Sequence, residues 1–414
     1  MKLPRIIKSF LPGIFLLGFN IGTGSVTSMA KAGADYGMSL LWTILISCLA
    51  TYFMIVQYGR YTLITGETAL QAFKKHIHPG IGIFFIVALT MTVCGGVMGL
   101  MGIITDVCHA WSKTYIPDGI SEIWFAAFFI GLVYLIFWQG TTEYFERALS
   151  VIVAIMAASF IINFFILTPP AGDILKGLVP NIPRVPADQG KGPFLVIASM
   201  VGTTVASVLF IVRTTLVKEA GWTITDLRTE RRDAALSTFM MFIISGSIMA
   251  AAAGTLYIKG LGLTEASQMV VLLEPLAGKF AVTIFVFGIV AAGVSSQFPN
   301  VLLLPWLLCD YNESERNMKL SRYRIIVLII SLLGFVVPVF NAKPVPVMIA
   351  SQAFGVLLLP LTVLCIMILG NRSKVMGKGN TNGLVTNIIL ALILIFAVYM
   401  AGSGIIGLLR IISS

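Results

Sequence analysis

Long runs of apolar residues, separated by short polar segments, dominate the chain. Segments of ~10 residues with alternating polarity, typical of a transmembrane β-barrel, are absent from the sequence. A helix that crosses a bilayer needs roughly 20 mostly apolar residues. Eleven runs fit this length, at residues 11–29, 38–58, 80–104, 121–139, 148–168, 194–212, 234–257, 280–308, 324–341, 346–370 and 384–409. The pattern predicts an all-α membrane protein with about 11 transmembrane helices.

Composition agrees with this prediction and excludes a soluble protein. Of the 414 residues, 57% are hydrophobic and 11% are charged, whereas soluble domains carry about 25% charged residues. The mean hydropathy is +0.95. The net charge of +10 needs no nucleic acid, because anionic lipid head groups attract Lys and Arg beside the membrane. The expected macromolecular partner is therefore the lipid bilayer.

The distribution of basic residues predicts the orientation of the chain. If the N-terminus is cytoplasmic, nineteen of the 28 Lys and Arg residues fall on the cytoplasmic side. Such an excess is typical of cytoplasmic segments. We therefore expect a multi-pass protein of the cell (plasma) membrane with its N-terminus inside and its C-terminus outside. No removable signal peptide is expected at the basic start of the chain.

Two of the apolar runs contain glycine and hydroxyl residues in their middle. The first run contains Gly22-Thr23-Gly24-Ser25, and the sixth contains Gly202-Thr203-Thr204 followed by Ser207. Glycine costs a helix about 1 kcal/mol relative to alanine, so both helices are expected to be interrupted there. Interrupted helices at corresponding positions of two halves indicate the binding site of a transporter. The alternative is that these small residues only allow helices to pack closely.

The spacing of the two interruptions divides the chain into halves. They lie five spans apart, which predicts two inverted five-helix repeats and one extra helix. The expected divisions are a first repeat at 1–168, an outer loop at 169–193, a second repeat at 194–370, and a cytoplasmic loop with the eleventh helix at 371–414.

An interrupted helix offers binding groups that a continuous helix lacks. Its exposed N–H end attracts anions and its exposed C=O end attracts cations. Serine and threonine hydroxyls can donate or accept hydrogen bonds. The interruptions therefore suit a polar or ionic substrate near the middle of the bilayer.

Several longer motifs resemble one transporter family. "LPGIFLLGF" followed by "KAGADYGMSLLW" is similar to the first span of the Nramp divalent-metal transporters. "GRYTLITGETALQAF", "PAGDILKGLVPNIP", "GIVAAGVSSQFP" and "MIASQAFGVLLLPLTVLCIMILGNRSKVMG" resemble later parts of the same family. The resemblance covers nearly the whole chain. It implies the inverted-repeat architecture called the leucine-transporter fold.

The chain departs from the family at the residues that hold the metal. The family's Asp-Pro-Gly-Asn motif aligns with Gly22–Ser25, and its Met-Pro-His motif aligns with Ala206–Val208. A second family histidine aligns with Arg213, and acidic residues that relay protons align with Ile86, Val93 and Gly96. The resemblance therefore implies an ion path without carboxylates, histidines or the soft sulfur, and makes proton coupling doubtful.

This loss changes the expected substrate. A buried divalent ion needs anionic ligands or much retained water, and hydroxyl and carbonyl ligands suit hard ions. We therefore expect a secondary transporter for a small polar solute or a hard ion rather than a transition metal. One alternative is a divalent metal cation (Mn/Fe/Mg-type) transporter with a non-standard site, and another is a non-transporting receptor or scaffold. The chain lacks the HExxH, G-x-S-x-G and P-loop motifs, so neither an enzyme nor an ATP-driven pump is expected.

The predicted substrate-binding residues come from the two interruptions and the tenth span. Gln352 is included because its family counterpart lies close to the substrate. Asn20 and Arg213 are secondary candidates, with Arg213 as an electrostatic filter at the inner mouth. The full set is Gly22, Thr23, Gly24, Ser25, Thr203, Ser207, Gln352, Asn20 and Arg213. No resident metal and no cofactor are expected, and the sequence carries no signal for an oligomeric state.

Overall fold

The computed structural model describes most of the chain, and all its regular elements are helical. Nine helical segments in this part are long and apolar enough to cross a membrane. They coincide with nine of the eleven predicted spans, while the spans at 11–29 and 148–168 fall largely outside the described residues. The described residues are 22–113, 115–139, 157–158, 160–162, 164–165, 170–183, 193–273 and 281–412.

Within these residues, twelve long helices carry the architecture. They are α1 (Thr23–Tyr36), α2 (Leu41–Thr65), α3 (Pro79–Ser112), α4 (Glu122–Gln139), α5 (Phe194–Thr204), α6 (Ser207–Glu219), α7 (Leu227–Ala252), α8 (Ala281–Tyr311), α9 (Ser321–Leu332), α10 (Pro344–Gly355), α11 (Leu359–Asn371) and α12 (Leu384–Ile412). Shorter helical turns are Ala69–Ala72, Phe73–Ile77, Ala171–Gly177, Ile224–Asp226, Ala253–Tyr257, Ala266–Leu273, Leu333–Phe335, Val336–Phe340, Val356–Leu358 and Ser373–Met376.

The sixth span is interrupted, but not at the predicted glycine. Helix α5 continues through Gly202 and Thr203, and the helical conformation is lost at Val205 (φ −105°, ψ 46°) and Ala206 (φ −70°, ψ 124°). The Thr51 hydroxyl donates a hydrogen bond to the Thr204 carbonyl at 2.8 Å, in place of the missing helical N–H. A broken backbone at membrane depth requires this kind of partner. Tertiary contacts therefore fix the position of the break.

Close approaches at glycines hold the central helices together. A Cβ on Gly202 of α5 would lie 1.9 Å from the Gln352 carbonyl oxygen of α10. A Cβ on Gly33 of α1 would lie 2.2 Å from the Met249 carbonyl oxygen of α7. A larger residue at either position would keep the backbones apart. Glycine commonly allows such close approach between membrane helices. These approaches pack α5 against α10 and α1 against α7, and α1, α5 and α10 also contact one another at the centre of the bundle.

The outer surface of the bundle is apolar. On α12, the side chains of Leu384 and Ile395 are 78% and 66% exposed. Soluble proteins rarely expose such continuous apolar surface. This surface fits contact with lipid chains.

Candidate functional site

A cavity lies where the interrupted span α5–α6 faces the start of α1. Its volume open to water is about 90 Å³. Helices α1, α3, α5, α6, α8 and α10 all contribute to its wall. Six of the nine predicted site residues line this cavity, namely Gly22, Gly24, Ser25, Thr203, Ser207 and Gln352. The structure thus brings together residues that lie up to 330 positions apart in the sequence.

The remaining three predicted residues have different outcomes. Asn20 and the Thr23 side chain lie outside the part of the structure that is described. Arg213 is described and does not line the cavity. That the six lining residues bind substrate stays a prediction.

Contacts between hydroxyls connect the start of α1 with the interrupted sixth span and hold that span to its neighbours. Ser25 Oγ on α1 and Thr203 Oγ1 on α5 lie 3.0 Å apart across the site. On α6, Ser207 Oγ accepts a hydrogen bond of 2.8 Å from Thr362 of α11. The Thr362 carbonyl accepts in turn from the Tyr58 hydroxyl of α2 at 2.8 Å. The site hydroxyls are therefore held in place by neighbouring helices.

The α10 wall of the cavity carries an amide and a thioether. Met348 and Gln352 are four residues apart on one helix face, and Gln352 Nε2 lies 3.5 Å from Met348 Sδ. A Cβ on Gly24 of α1 would lie 2.8 Å from Gln352 Nε2 and 3.4 Å from Met348 Sδ. Because Gly24 has no side chain, both groups approach the α1 backbone directly.

The described lining residues of the cavity are all uncharged. The described part of the chain also contains no group of three His, Cys, Asp or Glu residues that could hold a metal ion. The expected lack of carboxylates and histidines along the whole ion path stays a prediction. The site acts on a ligand through hydroxyls, amides and backbone dipoles.

The presence of Met348 in the cavity wall differs from the expectation that no sulfur lies along the ion path. The alignment predicted that no soft sulfur remains in the ion path, because Ala206 stands at the family's methionine position. The structure instead brings a thioether into the cavity from α10. A helical spacing of four from Gln352 was the sequence signal that could have revealed it. Ser296 and Asn300 of α8 also line the cavity and were missing from the predicted set.

Arg213 forms a buried ionic cluster away from the cavity. Its side chain is 0% exposed, and its Nε donates to Glu230 Oε1 at 3.1 Å. A second guanidinium nitrogen lies 2.6 Å from Asp233 Oδ2. Both carboxylates belong to α7. The predicted role as an electrostatic filter does not fit this position, since the guanidinium is buried and paired with two carboxylates. Arg213 lies six residues after Ser207 and is therefore on another face of α6 than the cavity lining.

Within the part of the chain that the structure describes, two polar side chains in the middle of α8 have no hydrogen-bond partner in the protein. They are Ser296 Oγ and both amide atoms of Gln297, and these residues are 6% and 1% exposed. Pro299 lies within the same helix and has no N–H to donate to the Ser295 carbonyl. An unsatisfied buried polar group costs about 1–3 kcal/mol. Ser296 borders the cavity, where water can reach its hydroxyl, so the destabilising group in this turn of α8 is the Gln297 amide.

Replacing Gln297 with leucine should stabilise the protein. Gln297→Leu removes an unpaired amide and keeps a side chain of similar size, so the free energy of unfolding should rise by about 1–3 kcal/mol. Thermal unfolding of the purified protein in detergent without added ligand would measure the change. The matched control is Gln71→Leu. The Gln71 amide oxygen accepts a hydrogen bond from Lys218 at 2.9 Å, so removing this amide should lower the stability of the protein. A lower unfolding temperature for Gln297→Leu would contradict the prediction.

Comparison with known proteins identifies similar sequences along most of the chain. The profile of the family described as natural resistance-associated macrophage protein-like matches residues 14–407. Over 368 residues the chain is 23% identical to the divalent metal cation transporter MntH of Erwinia tasmaniensis, covering 86% of this chain and 84% of that protein. It is 22% identical to the natural resistance-associated macrophage protein 2 homolog of Dictyostelium discoideum, covering 94% and 62% respectively.

Solved structures with the same fold include two kinds of transporter. The manganese transporter of Eremococcus coleocola superposes with a TM-score of 0.74 at 14% identity, covering 97% of this chain and 86% of that one. Mhp1, a nucleobase-cation-symport-1 family transporter, superposes in its inward-facing conformation with a TM-score of 0.65 at 13% identity, covering 97% and 89%. These similarities confirm the predicted all-α membrane fold of the leucine-transporter type.

Proposed function

The chain is a multi-pass membrane transporter of the natural resistance-associated macrophage protein-like (Nramp) family, and on this premise we propose that it carries divalent metal cations by alternating access. Relatives with similarity over most of their length are named divalent metal cation transporters. The expectation of a substrate other than a metal has no support among these relatives. The alternative of a metal transporter with a non-standard site fits them better.

The observation that carries this proposal is a neutral cavity with room for water. A single water needs at least about 10–15 Å³ of such volume, so the cavity of about 90 Å³ has room for several waters. A divalent cation can therefore enter with part of its hydration shell. Retained water replaces the anionic ligands that the family motif would supply and lowers the cost of placing the ion at membrane depth.

One helix end at the break attracts this ion. The C-terminal end of α5 at Thr204 carries the negative end of its dipole, which attracts a cation. The hydroxyl oxygens of Ser25, Thr203 and Ser207 can accept hydrogen bonds from waters bound to the metal. We assign these groups to the recognition of the hydrated ion, and Gln352 to the opposite wall.

Metal uptake into proteoliposomes tests the proposal. Purified protein is reconstituted into vesicles that contain a metal-sensitive dye, and Mn²⁺, Cd²⁺ and Mg²⁺ are added outside in turn. We expect saturable uptake of at least one of these ions above the level of protein-free vesicles. Uptake of all three at the protein-free level would overturn the proposal.

A second candidate substrate is a small polar solute with an anionic group. The first residues of α1 and α6, including Gly24 and Ser207, line the cavity, and helix N-termini attract anions. The Mhp1 structure with bromovinylhydantoin bound is an organic-solute complex of the same fold. This candidate rests on the two N-termini and the uncharged lining.

A thermal-shift screen separates the two candidates. A ligand that binds the native state raises its stability, by about 2.7 kcal/mol at 100 times the dissociation constant. Stabilisation by metal ions supports the first proposal. Stabilisation by amino acids or organic acids, with no effect of metals, supports the second.

The topology is also part of the proposal. We place the protein in the cell membrane with a cytoplasmic N-terminus, an outer C-terminus and the repeat boundaries given by the sequence. The excess of Lys and Arg supports the choice of the cytoplasmic side, and two contacts support the grouping of these loops on one side: Lys75 pairs with Glu313 at 3.1 Å, and Arg60 donates to Asn382 at 2.9 Å. Loops on opposite sides of a membrane could not form these contacts.

A further inference from the structure

Three exposed arginines lie on one face of α7 in its first two turns. They are Arg228, Arg231 and Arg232, and residues three and four apart on a helix are neighbours on its surface. Within the part of the chain that the structure describes, their side chains form no ion pair and no hydrogen bond. This end of α7 therefore carries three positive charges that the described chain does not neutralise.

The carboxylates nearest in sequence have other partners. Glu230 and Asp233 lie on the buried face of the same helix and both contact the Arg213 guanidinium. Just before the helix, Asp226 Oδ2 accepts a hydrogen bond from the backbone N–H of Thr223 at 2.9 Å. None of these acids turns to the exposed arginines.

A fourth cation from a neighbouring helix adds to the cluster. The charge of Arg231 acts on Arg60 of α2, and the Arg60 guanidinium donates to the neutral amide oxygen of Asn382 at 2.9 Å. By contrast, Lys75 and Arg316 at the same end of the bundle are paired with carboxylates. Like charges that lie together repel one another, and a bound anion would relieve this repulsion.

An exposed apolar track continues the arginine face into the membrane. Leu236 and Phe239 are 48% and 57% exposed, and Ile243 is half-buried. These residues follow Arg232 at steps of four, three and four, so they form one stripe along the helix. From Arg232 to Ile243 the stripe is about 16 Å long, roughly half of the ~30 Å hydrocarbon core. It therefore has the length of the acyl region of one leaflet.

We infer that the exposed face of α7 binds a phospholipid with an anionic head group. Its phosphate lies at Arg228, Arg231 and Arg232, and an acyl chain lies along Leu236 and Phe239. Arginine binds phosphate oxygens through two parallel hydrogen bonds, and the positive end of the helix dipole adds to the attraction. A soluble anion would leave the apolar track uncovered. The inference stands whichever substrate the central cavity carries.

Thermal unfolding of the purified full-length protein in neutral detergent tests the inference. The additions are dioleoyl-phosphatidylglycerol, dioleoyl-phosphatidylcholine as a lipid without net charge, and glycerol 3-phosphate as a soluble anion. The variant combines Arg228→Gln, Arg231→Gln and Arg232→Gln.

The matched control removes the same charge from exposed lysines of other segments, by combining Lys319→Gln, Lys374→Gln and Lys378→Gln. Unfolding without lipid checks that each protein is folded. Arg232→Gln alone replaces the triple arginine variant if that variant does not fold.

Phosphatidylglycerol should raise the unfolding temperature of the wild type and of the lysine control, because a ligand of the native state stabilises it. Phosphatidylcholine and glycerol 3-phosphate should leave that temperature unchanged. In the arginine variant the phosphatidylglycerol needed for half of the shift should rise about 100-fold, since each Lys or Arg beside an anionic surface contributes roughly fivefold in affinity. The single variant should show about a fivefold rise.

An equal response of the arginine variant and the wild type would overturn the inference. Full stabilisation by glycerol 3-phosphate would also overturn it, because this anion has no acyl chain. A wild type that is dimeric without lipid, and an arginine variant that is monomeric, would assign the face to a second copy of the chain instead. Size-exclusion chromatography of the same samples measures the oligomeric state.

Discussion

Replacing Gly24 with valine is expected to lower substrate uptake by about 100-fold, the size of effect that a misplacement of 1 Å can have at a reacting or binding site. The first atom of the new side chain would already lie 2.8 Å from Gln352 Nε2. The two branches of valine extend further into the cavity between α1 and α10. The change therefore fills the space that the ion and its waters would occupy.

The same variant should still fold. The groups that a Cβ on Gly24 would meet are the ends of two flexible side chains, Gln352 and Met348, rather than backbone atoms. These ends can move aside without shifting a helix. At Gly202, by contrast, the nearest atom is a backbone carbonyl oxygen at 1.9 Å, so a substitution there would disturb the packing of α5 against α10.

Uptake by proteoliposomes and the elution profile of the purified protein measure the two parts of this prediction. Gly131→Val in α4 is the matched control, because a Cβ at Gly131 meets no atom within 4 Å. The control should transport at the wild-type rate. Transport by Gly24→Val at that same rate would show that the substrate does not pass between α1 and α10.

Replacing Arg213 with methionine is expected to produce the largest loss of stability, about 3–5 kcal/mol, as is typical when one partner of a buried ion pair is removed. Glu230 and Asp233 would remain at 0% and 1% exposure without their cation. The Glu230 carboxylate also fills the space beside Gly59 of α2, where a Cβ would lie within 2.0 Å of Glu230 Oε1. This packing opposes a turn of the carboxylate toward solvent.

Thermal unfolding in detergent and the yield of monodisperse protein measure this effect. Arg316→Met is the matched control, since Arg316 pairs with Glu219 where the side chains are 30% and 51% exposed, and exposed pairs contribute about 0–1 kcal/mol. A triple variant, Arg213→Met with Glu230→Gln and Asp233→Asn, removes every charge and should recover part of the loss. Equal stability of Arg213→Met and Arg316→Met would contradict the prediction.

The ionic cluster also explains why α6 is a poor candidate for movement. Arg213 ties it to α7, and the Phe210 ring stacks on Tyr58 of α2 with ring centroids 5.9 Å apart. Thr214 Oγ1 accepts from the backbone N–H of Ala69 at 2.9 Å. Helix α6 is thus held on several sides, and alternating access is expected to move other helices around it.

The sequence alone leads to the Gly24 prediction but not to the role of Arg213. Glycine in an apolar run is a local signal, because it lowers helix stability wherever it stands. The partner of a charged residue is not a local property. A basic residue at the end of an apolar run predicts the cytoplasmic side of a membrane, and nothing nearby in the sequence distinguishes an exposed arginine from one paired with two carboxylates.

The positions of the break and of the sulfur show the same limit. Gly202 is a helix-weakening residue, yet the chain stays helical there and opens at Val205, where Thr51 satisfies the Thr204 carbonyl. Ala206 replaces the family's methionine, yet Met348 brings a thioether to the same cavity from α10. Both outcomes depend on residues more than a hundred positions away.

The sequence by itself determined the nine spans that the structure describes, the presence of a break in the sixth span and the uncharged residue types in the described lining of the cavity. These follow from the need of an apolar run to be helical in a bilayer and from which residue types the chain contains. Only the tertiary structure decided which side chains share the cavity, where the sixth span breaks and how Arg213 is neutralised. Those depend on which helices lie beside one another, and helix packing is set by contacts between distant segments rather than by local pattern.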